Sequence, residues 1–176
     1  AGADGFFVQE TNDLTIGNVS NTAGILIDDT TAGSIDVATT AGDLTIIDNV
    51  AADGAGTIAL AAEGVNTDVL VGSGADEASI IGEGGTIALL AARDVIFADD
   101  TEGNSVVSDA GTNAGAVTIT ADSDLNDTGS FTLGENAAID TDSAAGTDAD
   151  ITITASDVVL GDGANDGTIS SSDSVI

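Results

Sequence analysis

The chain has no histidine, cysteine, methionine, proline, tryptophan or tyrosine, and one basic residue, Arg93, in 176 positions. Each absence removes a class of chemistry. A serine nucleophile needs a base such as histidine or lysine, and neither exists here. Zinc sites of cysteine and histidine are excluded, and no disulfide holds the fold. Nucleic acid needs a basic surface to neutralise its phosphates, so it is excluded as a partner. Anionic membrane surfaces repel a chain with 31 Asp and Glu and a formal charge of -30. Aromatic bulk is nearly missing too. With four phenylalanines, any core must be thin and built from stacked Ile, Val, Leu and Ala.

High net charge favours disorder, yet 42% of residues are apolar and they fall in short clusters. That clustering points to a folded chain. The longest apolar stretches, such as Thr86 to Ala92, are too short to span a bilayer, so no membrane insertion is expected. The sequence opens Ala-Gly-Ala, with neither an initiating Met nor a visible signal peptide. It reads as a processed form or a piece of something longer. The near loss of Lys and Arg is shared with secreted surface proteins and proteins of salty environments, and the expected location is extracellular or at the cell surface.

What is present is a repeat. Three-residue alternations recur, bounded by Gly, Asp, Asn or Ser, and read as strand and turn. One family places a small hydroxyl residue before Ile, at Ile35, Ile58, Ile87, Ile119 and Ile153, with spacings of 23, 29, 32 and 34 residues. A second family begins with Asp13, Asp43, Asp68, Asp94 and Asp157, with Ser130 in the same place once. Its inward pairs run from Leu14/Ile16 to Val158/Leu160. A third, weaker family comprises Ile25–Ile27, Ser79–Ile81, Val106–Val107, Ala138–Ile139 and Thr168–Ile169. The families interleave in fixed order. They predict a single all-β block over residues 1–176, a right-handed parallel β-helix (β-solenoid) of about six turns with three short strands each. The Ile residues should form one interior column and the Asp residues one edge. An antiparallel sandwich also uses many short strands, but gives no reason for like residues at every third strand.

The stretches Val8-Gln9-Glu10-Thr11-Asn12-Asp13-Leu14-Thr15-Ile16, Gly42-Asp43-Leu44-Thr45-Ile46 and Gly56-Thr57-Ile58-Ala59-Leu60 resemble the repeats of filamentous-haemagglutinin-like large exoproteins and giant bacterial surface proteins. The resemblance covers almost the whole chain and implies a secreted fibre or adhesin shaft. It departs from that family in showing no amino-terminal secretion domain and no membrane anchor, which leaves the export route open.

Carboxylates are the remaining chemical resource. Asn66-Thr67-Asp68 matches the first short motif of polygalacturonases, and Asp28-Asp29 or Asp99-Asp100 imitates the next. The His and basic motif that this family also requires are missing, so no enzyme is expected. Three acidic loops are calcium candidates: Asp99, Asp100 and Glu102; Asp122, Asp124, Asn126 and Asp127; and Asp162, Asn165 and Asp166. Solvated turns are the plainer reading of each. Asp residues stacked one strand apart repel by roughly 0.9 kcal/mol in bulk water, a second reason to expect divalent cations to stabilise the protein. The column Thr57, Thr86, Thr118 and Thr152 raises ice binding, which ordinary strand propensity explains as well. Asn18 and Asn126 lie in glycosylation sequons. Phe6, Phe7 and Val8 at one end, and Ile169, Val175 and Ile176 at the other, are strand-like and uncapped. They predict end-to-end assembly, with further copies of the chain or with adjoining blocks of a longer polypeptide. The leading expectation is a structural subunit or repeat block of an extracellular fibre. The alternative is a calcium-dependent adhesin, which would be expected to show more aromatic or Arg anchors.

Overall fold

A computed structural model describes residues 5–18, 24–28, 32–72, 77–99, 105–108, 114–142, 147–161 and 167–171. They form rungs of three strands. The first rung is β1 (Phe6–Glu10), β2 (Leu14–Ile16) and β3 (Ile25–Ile27); the second is β4 (Ile35–Thr39), β5 (Leu44–Ile46) and β6 (Val50–Ala52). The third is β7 (Ile58–Ala62), β8 (Val69–Val71) and β9 (Ser79–Gly82); the fourth is β10 (Ile87–Ala91), β11 (Val95–Phe97) and β12 (Ser105–Val107). The fifth is β13 (Val117–Thr120), β14 (Ser130–Leu133) and β15 (Ala138–Asp140); the sixth is β16 (Ile151–Thr154), β17 (Asp157–Leu160) and β18 (Thr168–Ser170).

Every third strand pairs with its equivalent, always in parallel. The result is three six-stranded sheets ordered β1-β4-β7-β10-β13-β16, β2-β5-β8-β11-β14-β17 and β3-β6-β9-β12-β15-β18. This is the expected parallel β-solenoid. The described residues contain no helix long and apolar enough to cross a membrane.

Alternation sorts the side chains. In β7 and β10 the inward residues Ile58, Leu60, Ile87 and Leu89 are at most 1% exposed, while Ala59, Ala61, Ala88 and Leu90 face outward. One such face cannot hide from water alone, but stacked rungs bury one another. The interior is a set of ladders. The second sheet stacks Leu14, Leu44, Val69, Val95, Phe131 and Val158 in one column, and Ile16, Ile46, Val71, Phe97, Leu133 and Leu160 in the next. Phe97 and Phe131, on neighbouring rungs and fully buried, meet edge to face at 6.2 Å between ring centres.

The expected isoleucine column needs correction. Ile35, Ile58 and Ile87 do stack, but Ile87 pairs with Val117 and then Ile151, while Ile119 and Ile153 continue the column of Val37, Leu60 and Leu89. A strand with period two has two inward positions, and a shift of two residues leaves the same face inside. The Thr-Ile dipeptide marks the first inward position in β7 and β10 and the second in β13 and β16. The threonine column breaks with it: Thr118 and Thr152 lie beside Ala88 and Ala59, not beside Thr86.

Two features fall outside the sequence families. Strand β6, Val50-Ala51-Ala52, follows β5 after three residues and pairs with β3 and β9. The interior of the third sheet also turns polar along the stack. Ile27 aligns with Ala52 and Gly82, and the residues following β12 and β15 are Ser108 and Thr141, both fully buried. Their hydroxyls donate to the Gly85 carbonyl at 2.7 Å and the Ala149 carbonyl at 2.6 Å, which removes the cost of burying them. A glycine column at the corner before the first sheet sets the close approach of rungs. A Cβ on Gly85 would lie 1.6 Å from the Gly56 carbonyl oxygen, and one on Gly56 would lie 1.9 Å from that of Gly33.

Replacing Phe97 by Ala removes the bulk from the middle of a six-residue ladder. We expect a loss of about 3–5 kcal/mol, read from the denaturant midpoint. A loss under about 1 kcal/mol would mean that the ladders are loosely packed.

Candidate functional site

The aspartates of the second family stand where the chain turns from the first sheet into the second, one in every rung but the fifth, where Ser130 takes the place, as expected. They do not simply face one another across water. Asp43 N–H donates to Asp13 Oδ1 at 2.9 Å, Asp68 N–H to Asp43 Oδ1 at 2.9 Å, and Asp94 N–H to Asp68 Oδ1 at 3.1 Å. Ser130 closes the run: its N–H and its hydroxyl both donate to Asp94 Oδ1, each at 2.8 Å. Each carboxylate thus caps the backbone of the next rung. Hydrogen bonds to a charged acceptor are the stronger kind, and they offset the repulsion that stacking like charges creates.

Arg93 sits inside this column. Its guanidinium pairs with Asp68 through Nε at 2.8 Å and through Nη2, and Nε also reaches Asp94 Oδ2 at 3.0 Å. The Asp68 side chain is only 7% exposed, and Arg93 is 42% exposed. The Asp68 carboxylate holds the guanidinium proton more tightly than usual, against the cost of burial. The chain's one basic residue therefore neutralises the most buried step of the ladder.

The loop of Asp122, Asp124, Asn126 and Asp127 is an insertion between β13 and β14. The Asp122 carboxylate organises it, accepting from Asn126 N–H at 2.8 Å, Asp127 N–H at 3.1 Å and the Ser156 hydroxyl of the next rung at 2.7 Å. Asn126 Nδ2 donates to Asp124 Oδ2 at 2.9 Å, and Asn126 Oδ1 accepts from the Thr128 N–H and hydroxyl. Asp122, Leu125 and Asp127 adopt positive φ, the cost of so tight a loop. The Ser156 hydroxyl, then the two backbone donors, hold Asp122 below the ordinary carboxylate range. Asp99 acts like a ladder aspartate, accepting from Glu135 N–H at 2.8 Å. Asp100, Glu102, Asp162, Asn165 and Asp166 lie outside the described residues. Among the described residues, no three acidic side chains converge as a metal would need. Asp28 and Asp53 meet on adjacent rungs. Burial, then the hydrogen bond and charge of Asp28, raise the Asp53 carboxyl.

The ends differ from the middle. At the first rung the inward Phe6 is 40% exposed, whereas its stacked neighbour Ile35 is fully buried. A recess of about 170 Å³ opens there, lined by Phe6, Val8, Leu14, Ile16, Ile25 and Val37. The outward Phe7 is 67% exposed. At the sixth rung Val158 and Leu160 are about half exposed, although they stack on the fully buried Phe131 and Leu133. Ile169 is partly buried against the core, and Val175 and Ile176 lie outside the described residues. No family model, curated protein or solved structure matches the chain.

Two outcomes follow from the carboxylates. Asp43→Ala should cost about 1 kcal/mol by leaving the Asp68 N–H without its cap, and Arg93→Ala about 1–2 kcal/mol, between an exposed and a buried ion pair. The exposed Asp124→Ala should cost far less in the same unfolding experiment, and equal losses for all three would remove the ladder's special status. Asp122 has a depressed pKa in the fold, so its contribution is complete above its unfolded value of 3.8 and is lost as pH falls through the folded value. The stability gap between the native chain and Asp122→Asn should shrink on titrating from about pH 5 to about pH 2. A gap that is constant with pH would contradict this assignment.

Proposed function

We propose that the chain is a structural block of an extracellular fibre, whose end rungs continue the ladders of a neighbouring block. That block is either further turns of the same polypeptide or another copy. The observation that carries the reading is the contrast between ends and middle: inward positions sealed in the central rungs are exposed at Phe6 of the first and at Val158 and Leu160 of the sixth, beside strand edges with no partner among the described residues. Strand edges of this kind template further pairing. Joining the sixth rung of one block to the first of the next is a heterologous contact that does not close, and so generates a filament. The negative charge then acts sideways, keeping filaments apart.

The reading assigns no reaction to the chain, in keeping with a sequence that has neither His, Lys nor Cys to act as base or nucleophile. The calcium-dependent adhesin has no comparable support, since the carboxylates of Asp13, Asp43 and Asp122 are engaged with backbone and hydroxyl donors.

Sedimentation velocity and negative-stain microscopy of the purified chain, with millimolar calcium and separately with chelator, test this. A six-rung block is about 25–30 Å long at one strand spacing per rung. Rods several times that length, growing with protein concentration under both conditions, are expected. Monomer alone at high concentration would overturn the reading, and rods that need calcium would return the metal to the account.

A further inference from the structure

An aspartyl carboxyl lies close to the amide nitrogen of the residue that follows it, and attack by that nitrogen closes a cyclic imide. The corner aspartates are guarded against this. The amides after Asp13, Asp43 and Asp68 donate to carbonyls of the next rung, each at 2.9 Å, and the three carboxylates are themselves held by next-rung N–H groups. In the Asp122 loop the amides of Ser123, Leu125 and Thr128 are likewise bonded, each at 3.0 Å. Asp53 is placed differently. It follows β6, and Asp53-Gly54 is the one Asp-Gly pair of which both residues are described. Gly54 has a φ of 69°, carries no Cβ to obstruct its nitrogen, and its N–H donates to no group among the described residues.

The neighbours supply the other requirement. Pairing sets Ile27, Ala52 and Gly82 side by side, so Asp28, Asp53 and Glu83 succeed one another along the corner. The N–H groups of Asp53 and Glu83 are taken by the Ile27 and Ala52 carbonyls, at 3.0 and 3.2 Å, and do not serve as caps for these carboxyls. Asp53 shares a hydrogen bond with Asp28 instead. Two carboxyls share one only while a proton stays between them. Burial, then that bond and the charge of Asp28, raise the Asp53 carboxyl above its usual range. A neutral carboxyl can release its hydroxyl as water, which a carboxylate cannot do. We propose that the Asp53–Gly54 peptide bond is a site of spontaneous isomerisation, at which the main chain reroutes through the Asp53 side chain. The Gly54 nitrogen attacks Asp53 Cγ. The N–Cγ bond forms, the C–OH bond breaks, and the hydroxyl leaves as water with the proton of the nitrogen. Water then adds to the Asp53 main-chain carbonyl carbon, and the bond from that carbon to the Gly54 nitrogen breaks. One water is released and one consumed, so the mass is unchanged and no oxidant or reductant takes part. The product, isoaspartate, places one more atom in the backbone two residues before Gly56. Rungs approach there so closely that a Cβ on Gly85 would lie 1.6 Å from the Gly56 carbonyl oxygen, so the isomerised form should unfold at lower denaturant.

The full-length chain is incubated for weeks at about pH 5 and about pH 8, folded and in guanidinium. It is then mapped with a protease that cleaves before aspartate but not before isoaspartate, and the fragments are read by mass spectrometry. The pairs Asp4-Gly5, Asp162-Gly163 and Asp166-Gly167 fall in separate fragments. We expect isoaspartate to accumulate at position 53 of the folded chain within about threefold of the unfolded rate, while folding slows conversion at Asp43 and Asp68 about tenfold or more. Conversion at 53 should be faster at pH 5 than at pH 8, because the neutral carboxyl reacts. Asp53→Glu, whose imide ring is one atom larger, should abolish it. Asp28→Ala withdraws the neighbour that keeps the proton on Asp53, and should slow conversion at pH 5. Folding that slows conversion at 53 by more than about tenfold would overturn the proposal, and so would a folded rate at 53 no higher than at Asp43. An unchanged rate in Asp28→Ala would overturn the part assigned to Asp28.

Discussion

A backbone N–H at the corner of a solenoid has left one sheet and not yet entered the next, so no strand pairing is assured for it. Buried or half-buried amides without acceptors cost as much as a lost hydrogen bond. In this chain the acceptor comes from the rung before: the carboxylate of Asp13 serves Asp43, that of Asp43 serves Asp68, and so on to Ser130. Much else depends on this contact. It fixes where the second sheet begins in each rung, and hence which of Leu14, Leu44, Val69, Val95, Phe131 and Val158 stack. It also makes an acidic column tolerable, because each negative charge is spent on a donor.

The same contact accounts for the isolated Arg93. Neutralisation helps most where water helps least, and the Asp68 carboxylate is the place where the ladder is driest, at 7% exposure. Arg93 bridges Asp68 and Asp94 from the corner just before the second sheet. Elsewhere the corners are wet enough for charge to be solvated, and the flat outer faces carry mostly Ala, Thr and aliphatic residues, as along Ala59, Ala88, Thr118 and Thr152. Charge is thereby concentrated at the turns of the solenoid, although Asp36 stands on the outer face beside Ala59.

The aspartate column was legible in the sequence because it combines two signals, an Asp followed by an alternating apolar pair. The isoleucine column was misread beyond Ile87 because one Thr-Ile dipeptide fits either of two inward positions, and only pairing decides between Val117 and Ile119. Strand β6 was missed because Val50-Ala51-Ala52 carries little β signal and follows β5 after three residues. Ser108 and Thr141 gave no sign of belonging to the interior, since their burial depends on carbonyls that come close only when the rungs stack. The Asp122 loop was marked for its oxygen atoms. Their orientation toward Asn126, Asp127 and Ser156 is a property of the folded loop, which composition does not carry. Of the two ends, Phe6 was legible as a strand residue, while the direction of the caps was not.

The central claim is that the corner amides are held by carboxylates of the preceding rung. Native-state hydrogen exchange of the Asp43, Asp68, Asp94 and Ser130 amides, followed residue by residue by NMR at neutral pH, tests it most directly. The account predicts that these turn amides are protected to nearly the degree of neighbouring strand amides such as Val69 and Val95, and that Asp43→Ala releases the Asp68 amide selectively. Exchange of all four at the rate of open turns, unchanged by Asp43→Ala, would contradict it.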